Sequence, residues 1–311
     1  MTMRYSKIVL IFLLACAASL QAQNNRSAVS VAGSDTNPCT PASPCRSIAY
    51  ALTQTNLGGE VIALTSGGYG PFTVNQGVTV DVAPGVYAGI TATTGDAIDV
   101  NGTTSDTVTL RGLTLNSLGA TTGILNATGA HLHIERSQIF GFARWGILAF
   151  FDTTISDVTV RNCFEGITID NAGQVVKATI VRAFVAGGGF TYIVNVGYPI
   201  GIHAQRNADV SVSHSVATDS YRGFVASDGG TLNLDNCVAT HTYVGVWAVP
   251  ALIAGGSGSL VRASAVMSTD NAFGFYRDPS SSFETWGNNR VFGNSVADVY
   301  MFGPLTPISQ R

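Results

Sequence analysis

Three arginines and three aspartates between residues 136 and 182 are the side chains best suited to chemistry in this chain. Arg136, Arg161 and Arg182 recur at turn positions of a repeating pattern, and stacked arginines facing one groove can hold uronate carboxylates bidentately. Asp152, Asp157 and Asp170 fall in neighbouring repeats. Two carboxylates roughly 6.5–9.5 Å apart around a water would serve an inverting glycosidase, although aspartates at turns serve equally as turn-formers. His131 and His133 are two apart in AHLHI and face the same way on a strand. They could begin a metal site, but no third ligand is evident, so no metal is assigned. A last set is aromatic. His203, Trp247 and Tyr276 occupy one outward slot of successive repeats, and Phe190, Tyr192 and Tyr198 lie in a Gly-rich insertion. Rings along a groove can hold sugars, and such an insertion is either a ligand-facing loop or a lid over apolar surface.

A repeat must position these side chains. A glycine followed by an apolar residue opens a short strand at Gly123-Ile124, Gly146-Ile147, Gly166-Ile167, Gly201-Ile202, Gly223-Phe224, Gly245-Val246 and Gly274-Phe275. Subtracting successive positions gives intervals of 23, 20, 35, 22, 22 and 29 residues. A self-similar unit of this length marks a solenoid. Apolar-polar-apolar triplets recur with it: Val78-Thr79-Val80, Val108-Thr109-Leu110, Leu132-His133-Ile134, Val158-Thr159-Val160, Val210-Ser211-Val212 and Leu232-Asn233-Leu234. Each triplet buries two side chains and exposes one. Aligning triplets with glycine steps places two strands in each unit. It also predicts an inward column Ser137, Cys163, Ala183, Ser215, Cys237 and another from Ile124 to Phe275. On the outside it puts Arg111 and Arg161 in one column with Glu135 and Asp235, and Arg136 and Arg182 in the next with Asn162, His214 and Asn236. Two-residue hairpin turns are largely missing, which argues against antiparallel pairing. The expected fold is all-β: a single-stranded parallel β-helix of about nine coils, on the order of 45 Å long.

Composition agrees. Charged residues are only 11% and Gly numbers 35, which suits many tight turns and excludes a disordered chain. A net charge of -3 supplies no basic field, so no nucleic-acid partner is expected. Residues 1–22 read as a signal peptide, with Arg4 and Lys7 before the apolar run Ile8 to Ala15 and small residues up to Ala22. Leu13-Leu14-Ala15-Cys16 also resembles a lipobox, which makes lipidation at Cys16 the alternative to cleavage after Ala22. Either route gives a secreted or cell-surface protein. No transmembrane segment is expected, because the run is too short. Cys39 and Cys45, six apart in the proline-fixed loop NPCTPASPC, are expected to form a disulfide, and Cys163 and Cys237 to be buried thiols. Residues 23–34 read as a flexible leader, 35–76 as the disulfide loop and N-terminal cap with one helix near Arg46 to Asn56, 77–300 as the β-helix and 301–311 as a tail.

The opening Asp35-Thr36-Asn37-Pro38-Cys39 through Pro44-Cys45-Arg46 and the closing Trp286-Gly287-Asn288-Asn289-Arg290, then Gly293-Asn294, carry a resemblance. The chain resembles exported bacterial right-handed parallel β-helix proteins of the pectin-lyase-like superfamily, over roughly residues 31 to 300. That superfamily contains polysaccharide lyases, polygalacturonase-like hydrolases, epimerases and non-enzymatic surface proteins. The hydrolase signatures N-T-D, paired aspartates, G-H-G and R-I-K are missing here, with Ile169-Asp170-Asn171 the nearest echo. So are W-I-D-H and R-x-P-x-x-R of calcium-dependent pectate lyases. The resemblance implies a monomer that engages extracellular polysaccharide or a cell-surface glycan, as a lyase, as a glycoside hydrolase, or as a non-catalytic adhesive scaffold. No cofactor is evident, and calcium enters only with a lyase. The candidate reactive residues remain Arg136, Arg161, Arg182, Asp152, Asp157 and Asp170. The candidate sugar contacts remain His203, Trp247, Tyr276, Phe190, Tyr192 and Tyr198.

Overall fold

Alternation over three to five residues specifies a strand when a like strand lies above and below it, so that every backbone group and inward side chain meets its own kind. The computed structural model, which describes residues 24–189, 197–250, 257–301 and 305–307, stacks such strands into a right-handed parallel β-helix. Residues 1–22, with Cys16, and the insertion residues Phe190 and Tyr192 lie outside the described residues, as does most of the tail.

Each coil has three strands rather than the expected two. Thr122–Asn126 and Trp145–Ala149 belong to a first face, His131–Glu135 and Thr153–Ser156 to a second, and Gln138–Phe140 and Thr159–Arg161 to a third. The third face is its own sheet of 10 strands. The other two faces join into one sheet where Glu165–Val181 and Ile200–Ser213 run through both. A three-residue strand such as Gln138–Phe140 buries only Ile139, too little for a period to show. Val158-Thr159-Val160 straddles a bend into this third face, pairing with Ile139 and Val185; the second-face counterpart is Thr153-Thr154-Ile155.

Single residues in the left-handed region turn the corners. Gly112 (φ 74°), Arg136 (47°), Asp157 (56°), Arg182 (52°), His214 (50°), Asn236 (51°) and Ala265 (51°) make the bend between second and third faces. Gly141 (76°), Asn162 (55°), Asp219 (53°), His241 (50°), Asp270 (57°) and Gly293 (70°) make the next. Gly, Asn, Asp and His tolerate this conformation best, which is why both bends are polar. Asn162 therefore does not share a column with Arg136, and Cys163 does not share one with Cys237. Arg161 pairs with Phe140 and Ala186 on the third face, away from Arg111 and Glu135 on the second.

The core column from Ile124 is as the sequence predicts, Ile124, Ile147, Ile167, Ile202, Phe224, Val246 and Phe275 following rung on rung, and the structure extends it back to Ile98. Beside it runs the glycine ladder. A Cβ on Gly123, Gly146, Gly166, Gly201, Gly223 or Gly245 would come no more than 2.7 Å from the carbonyl oxygen of the next glycine. Glycine is required there by close approach of one rung's backbone to the next.

The N-terminal end is closed by the helix Ile48–Thr53, which buries Ile48, Ala51 and Leu52, and by the Cys39–Cys45 disulfide loop. Residues 24–29 are not a flexible leader. They form a strand parallel to Thr55–Ala63, because Ala28 and Val29 find a fully buried place beneath the stapled loop. Strands between residues 55 and 74 likewise extend the helix into the stretch read as cap.

Candidate functional site

The two motifs that carry the resemblance are structural. The Asp35 carboxylate accepts from Arg46 N (2.8 Å), Ser47 N (2.9 Å) and Ser47 Oγ (2.8 Å), fixing the residue that caps the helix. Burial pushes its pKa up, but the Ser47 and Arg46 bonds outweigh burial and hold it below the ordinary value. At the other end, Asn289 Oδ1 accepts from Val266 N (2.9 Å) and Asn294 Oδ1 from Asn271 N (3.1 Å). These amides satisfy backbone groups that the bends leave unpaired.

The candidate arginines and aspartates come together only in part: Arg136, Asp157 and Arg182 follow one another rung on rung at one bend, and Arg161, Asp152 and Asp170 lie apart from them. Arg182 is bound to Asp157 through two bonds of 2.6 and 2.8 Å, both residues lying exposed at one bend. Arg136 lies at that bend one rung from Asp157, whose pKa it helps Arg182 to lower, while Arg161 lies over the Phe184 ring (4.9 Å) on the third face. Asp170 is buried in a bidentate pair with Arg206. Asp152 accepts from Lys177 N at 2.8 Å and lies 4.0 Å from His131 Nδ1. The carboxylates thus serve separate local pairs, Arg136 and Arg182 flank Asp157 at one bend, and Arg161 stands on a different face.

The aromatic column is also different from its expected form. The column of His203, Trp247 and Tyr276 also holds Leu148, Thr168 and Val225 by register, and Leu148, Thr168, His203 and Val225 are buried, so no continuous stripe faces solvent. His203 sits inside a polar chain: its Nε2 lies 2.8 Å from Ser227 Oγ and its Nδ1 3.4 Å from Glu165 Oε2. Ser227 donates to Asp228 (2.8 Å), and Thr168 donates to Glu165 (2.7 Å). For Glu165 burial raises the pKa, but the His203 and Thr168 bonds outweigh it and hold the carboxyl low. Trp247 and Tyr276 are partly exposed, in edge contact at 5.4 Å, and Tyr198 stacks on Tyr221 at 3.9 Å.

A long concave surface lies on the second face, apart from a hollow of ≈ 490 Å³ beside Leu52 and Phe72 at the N-terminal cap. A groove of ≈ 600 Å³ is lined by Thr179, Ser211, Asn233 and Arg262 along its floor, with Asp235 at one side and Trp286 just after the second-face strand Ser282–Thr285. The floor is one outward column in strict register, from His133 through Thr154, Thr179, Ser211 and Asn233 to Arg262 and Glu284. Arg262 is paired with Glu284 (2.7 Å) and reaches Asn233 (3.3 Å), while Asn233 donates to Asp209 (2.9 Å). A smaller hollow of ≈ 220 Å³ continues the same face through Thr179 to His131, His133, Asp152 and Lys177. The groove therefore offers hydroxyls, an amide and an indole, and its cation is already neutralised. In the sequence Trp286 stands only in a closing motif, and Arg262 stands in the Val261-Arg262-Ala263 triplet, outside the triplets named above. The triplet's outward slot was the available signal.

No protein-family model matches the chain, and no curated protein matches it. Among solved structures it is similar to an alginate lyase from Paenibacillus sp. str. FPU-7, at 13% identity and a TM-score of 0.58, over 91% of this chain and 100% of that one. It is similar to pectate lyase Pel9A at 11% identity and a TM-score of 0.54, over 85% of this chain and 74% of that one. A GH136 lacto-N-biosidase from Eubacterium ramulus follows at 10% identity and a TM-score of 0.51, over 97% and 70% of the two chains. These likenesses support the right-handed parallel β-helix fold.

Proposed function

We propose that this protein binds an extracellular polysaccharide laid along the second face, with Trp286 and the Ser211–Asn233–Arg262 column as the principal contacts. The observation that carries the reading is the ≈ 600 Å³ groove, which follows the repeat axis and combines an indole wall with a floor of hydrogen-bonding side chains. Like rungs about 4.8 Å apart present like groups, so two rungs offer about 9.6 Å, comparable to a disaccharide repeat. The groove's own charges favour an uncharged sugar: Arg262 is held by Glu284, and Asp235 and Asp209 add negative charge beside it. A uronate polymer would meet repulsion there. The Cys39–Cys45 disulfide fits an exported, oxidising setting, secreted or cell-surface. Binding as a monomer suffices for this reading.

Bond cleavage is a second reading, supported by one observation. His131, Asp152 and Lys177 gather at the hollow that continues the groove, where an imidazole and a carboxylate could move a proton. A glycan array of the purified protein tests both. Retention of neutral polysaccharides without new reducing ends or an unsaturated, ultraviolet-absorbing product, with and without calcium, is the result expected of a binding protein. Product formation lost in His131→Ala and Asp152→Ala would assign cleavage instead, and no retention of any glycan would overturn the proposal.

A further inference from the structure

The two ends of the rod are finished differently. At the N-terminal end a helix and the Cys39–Cys45 disulfide hold the first strands. At the C-terminal end, among the described residues, no further first-face strand lies on Ala297–Met301. Val299 continues the core column beyond Phe275, yet it is 44% exposed. Phe292 and Val296 of the same rung are exposed as well. A solenoid end that is not covered is the part of the rod that opens most readily.

One contact joins this last rung to the rung before it through two phenols. Tyr276 and Tyr300 are partners in register, with backbones about 4.8 Å apart. Their ring centroids lie 4.9 Å apart and their planes 27° from parallel. Phe273 meets both rings edge-on, at 5.3 and 5.5 Å, and Trp247 meets Tyr276 edge-on at 5.4 Å. Strand pairing and these edge contacts hold the two rings face to face. Tyr300 is 41% exposed and Tyr276 partly exposed, so an oxidant in solution reaches the pair. Tyr221 and Tyr243 also stack, at 4.6 Å, but their strands are paired on both sides and gain little from a further link. We propose that Tyr276 and Tyr300 form an oxidative modification site, joined as dityrosine by hydrogen peroxide acting through a haem peroxidase. The oxidising setting that the disulfide fits is where such chemistry occurs. Each phenol gives up one electron and one proton. The two radicals couple through ring carbons ortho to their oxygens, and the hydrogen on each coupled carbon moves to oxygen to restore the phenol. The protein loses two hydrogens for each link, and one peroxide becomes two waters. The link spans 24 residues of chain, from 300 less 276. Closing that loop removes freedom from the unfolded chain and ties the open rung to the rod.

Treating the dilute, purified protein with a haem peroxidase and hydrogen peroxide, followed by tryptic digestion and mass spectrometry, tests the assignment. Cleavage after Arg262, Arg277 and Arg290 releases peptides 263–277 and 291–311, each with a single tyrosine. These two peptides are expected to appear joined, lighter than their sum by two hydrogens, from a protein that shows dityrosine fluorescence and still runs as a monomer in a denaturing gel. Tyr300→Phe keeps the ring and lacks the hydroxyl that is oxidised. It should lose the joined product while melting like the wild type before treatment. The urea midpoint of the treated wild type should rise, and by more than that of Tyr300→Phe treated alike. Coupling of other tyrosines with Tyr276 and Tyr300 untouched, coupling only between two molecules, or no coupling under conditions that couple free tyrosine would each overturn the proposal. A joined product with an unchanged urea midpoint would refute the tie to the open end.

Discussion

Replacing Gly223 by alanine should destabilise the rod, although it adds one methyl group in a permitted backbone conformation. The added Cβ would lie 2.5 Å from Gly245 O, with the Gly245 carbonyl carbon at 3.4 Å and Ala239 Cβ at 3.5 Å. An ordinary van der Waals contact requires roughly 1 Å more. The obstacle is backbone, so no side-chain rotation relieves it. The two rungs must part, stretching the ladder that joins Arg222–Ser227 to Val244–Ala248. Overpacking of this kind costs about 1–3 kcal/mol. Gly68 provides the contrast, because its nearest would-be neighbour is Gly89 O at 3.9 Å. There alanine meets nothing, and loss of unfolded-chain freedom should stabilise by about 0.4–1 kcal/mol. Urea denaturation of the two variants against wild type, followed by circular dichroism, gives both signs in one experiment. If Gly223→Ala falls within about 0.5 kcal/mol of wild type, the scale of an ordinary surface substitution, the close-approach explanation of the repeat is wrong.

Removing the Asp35 carboxylate should weaken the N-terminal cap. Asp35→Ala leaves two backbone donors and the Ser47 hydroxyl without their acceptor, and a loss of about 1–3 kcal/mol in urea is expected. Because the folded pKa is depressed, this stabilisation is fully present above the ordinary aspartate value, about 3.9, and fades as pH falls through the lower folded value. A wild-type advantage unchanged well below that range would contradict the carboxylate's role. Cys163 and Cys237 are buried, and burial pushes both thiols up to about 11. Neither should react with a thiol reagent near neutral pH until the protein unfolds; modification of the native protein would show that a coil opens. Reduction of Cys39–Cys45, which closes a six-residue loop, should lower stability by about 2 kcal/mol on the chain-entropy account, and an unchanged urea midpoint would argue against that account.

Much of the fold was legible because a solenoid writes the same sentence repeatedly. Gly146-Ile147 and Gly166-Ile167 align in sequence for the reason they align in space, since each rung packs on its own likeness. The third strand was not legible: one inward residue, such as Ile139 between exposed Gln138 and half-buried Phe140, has no period. That omission merged two bends that look alike, each a polar residue in the left-handed region after a strand. Asn162-Cys163 and Asn236-Cys237 were consequently set in one column, although one pair turns the chain off the third face and the other turns it onto that face. The candidate site fared worse. Arg161 and Arg182 looked equivalent as turn arginines, yet ion pairing to Asp157 and the change of face separate them. His203 read as exposed because strand alternation places it outward, whereas its burial depends on non-local packing that alternation does not encode. Trp286 stands in a motif position whose structural meaning hid its place at a groove.

The most direct test of the account is titration of wild type and Trp286→Ala with the neutral oligosaccharide that a glycan array retains most strongly. Trp286 forms the one aromatic wall of the second-face groove, and loss of an aromatic ring–sugar contact of about 1.4 kcal/mol corresponds to tenfold in affinity. The account expects binding by the wild type and at least that tenfold loss in the variant, with both proteins melting at similar temperatures. Equal affinities in two equally folded proteins would place the polysaccharide elsewhere on the rod and contradict it.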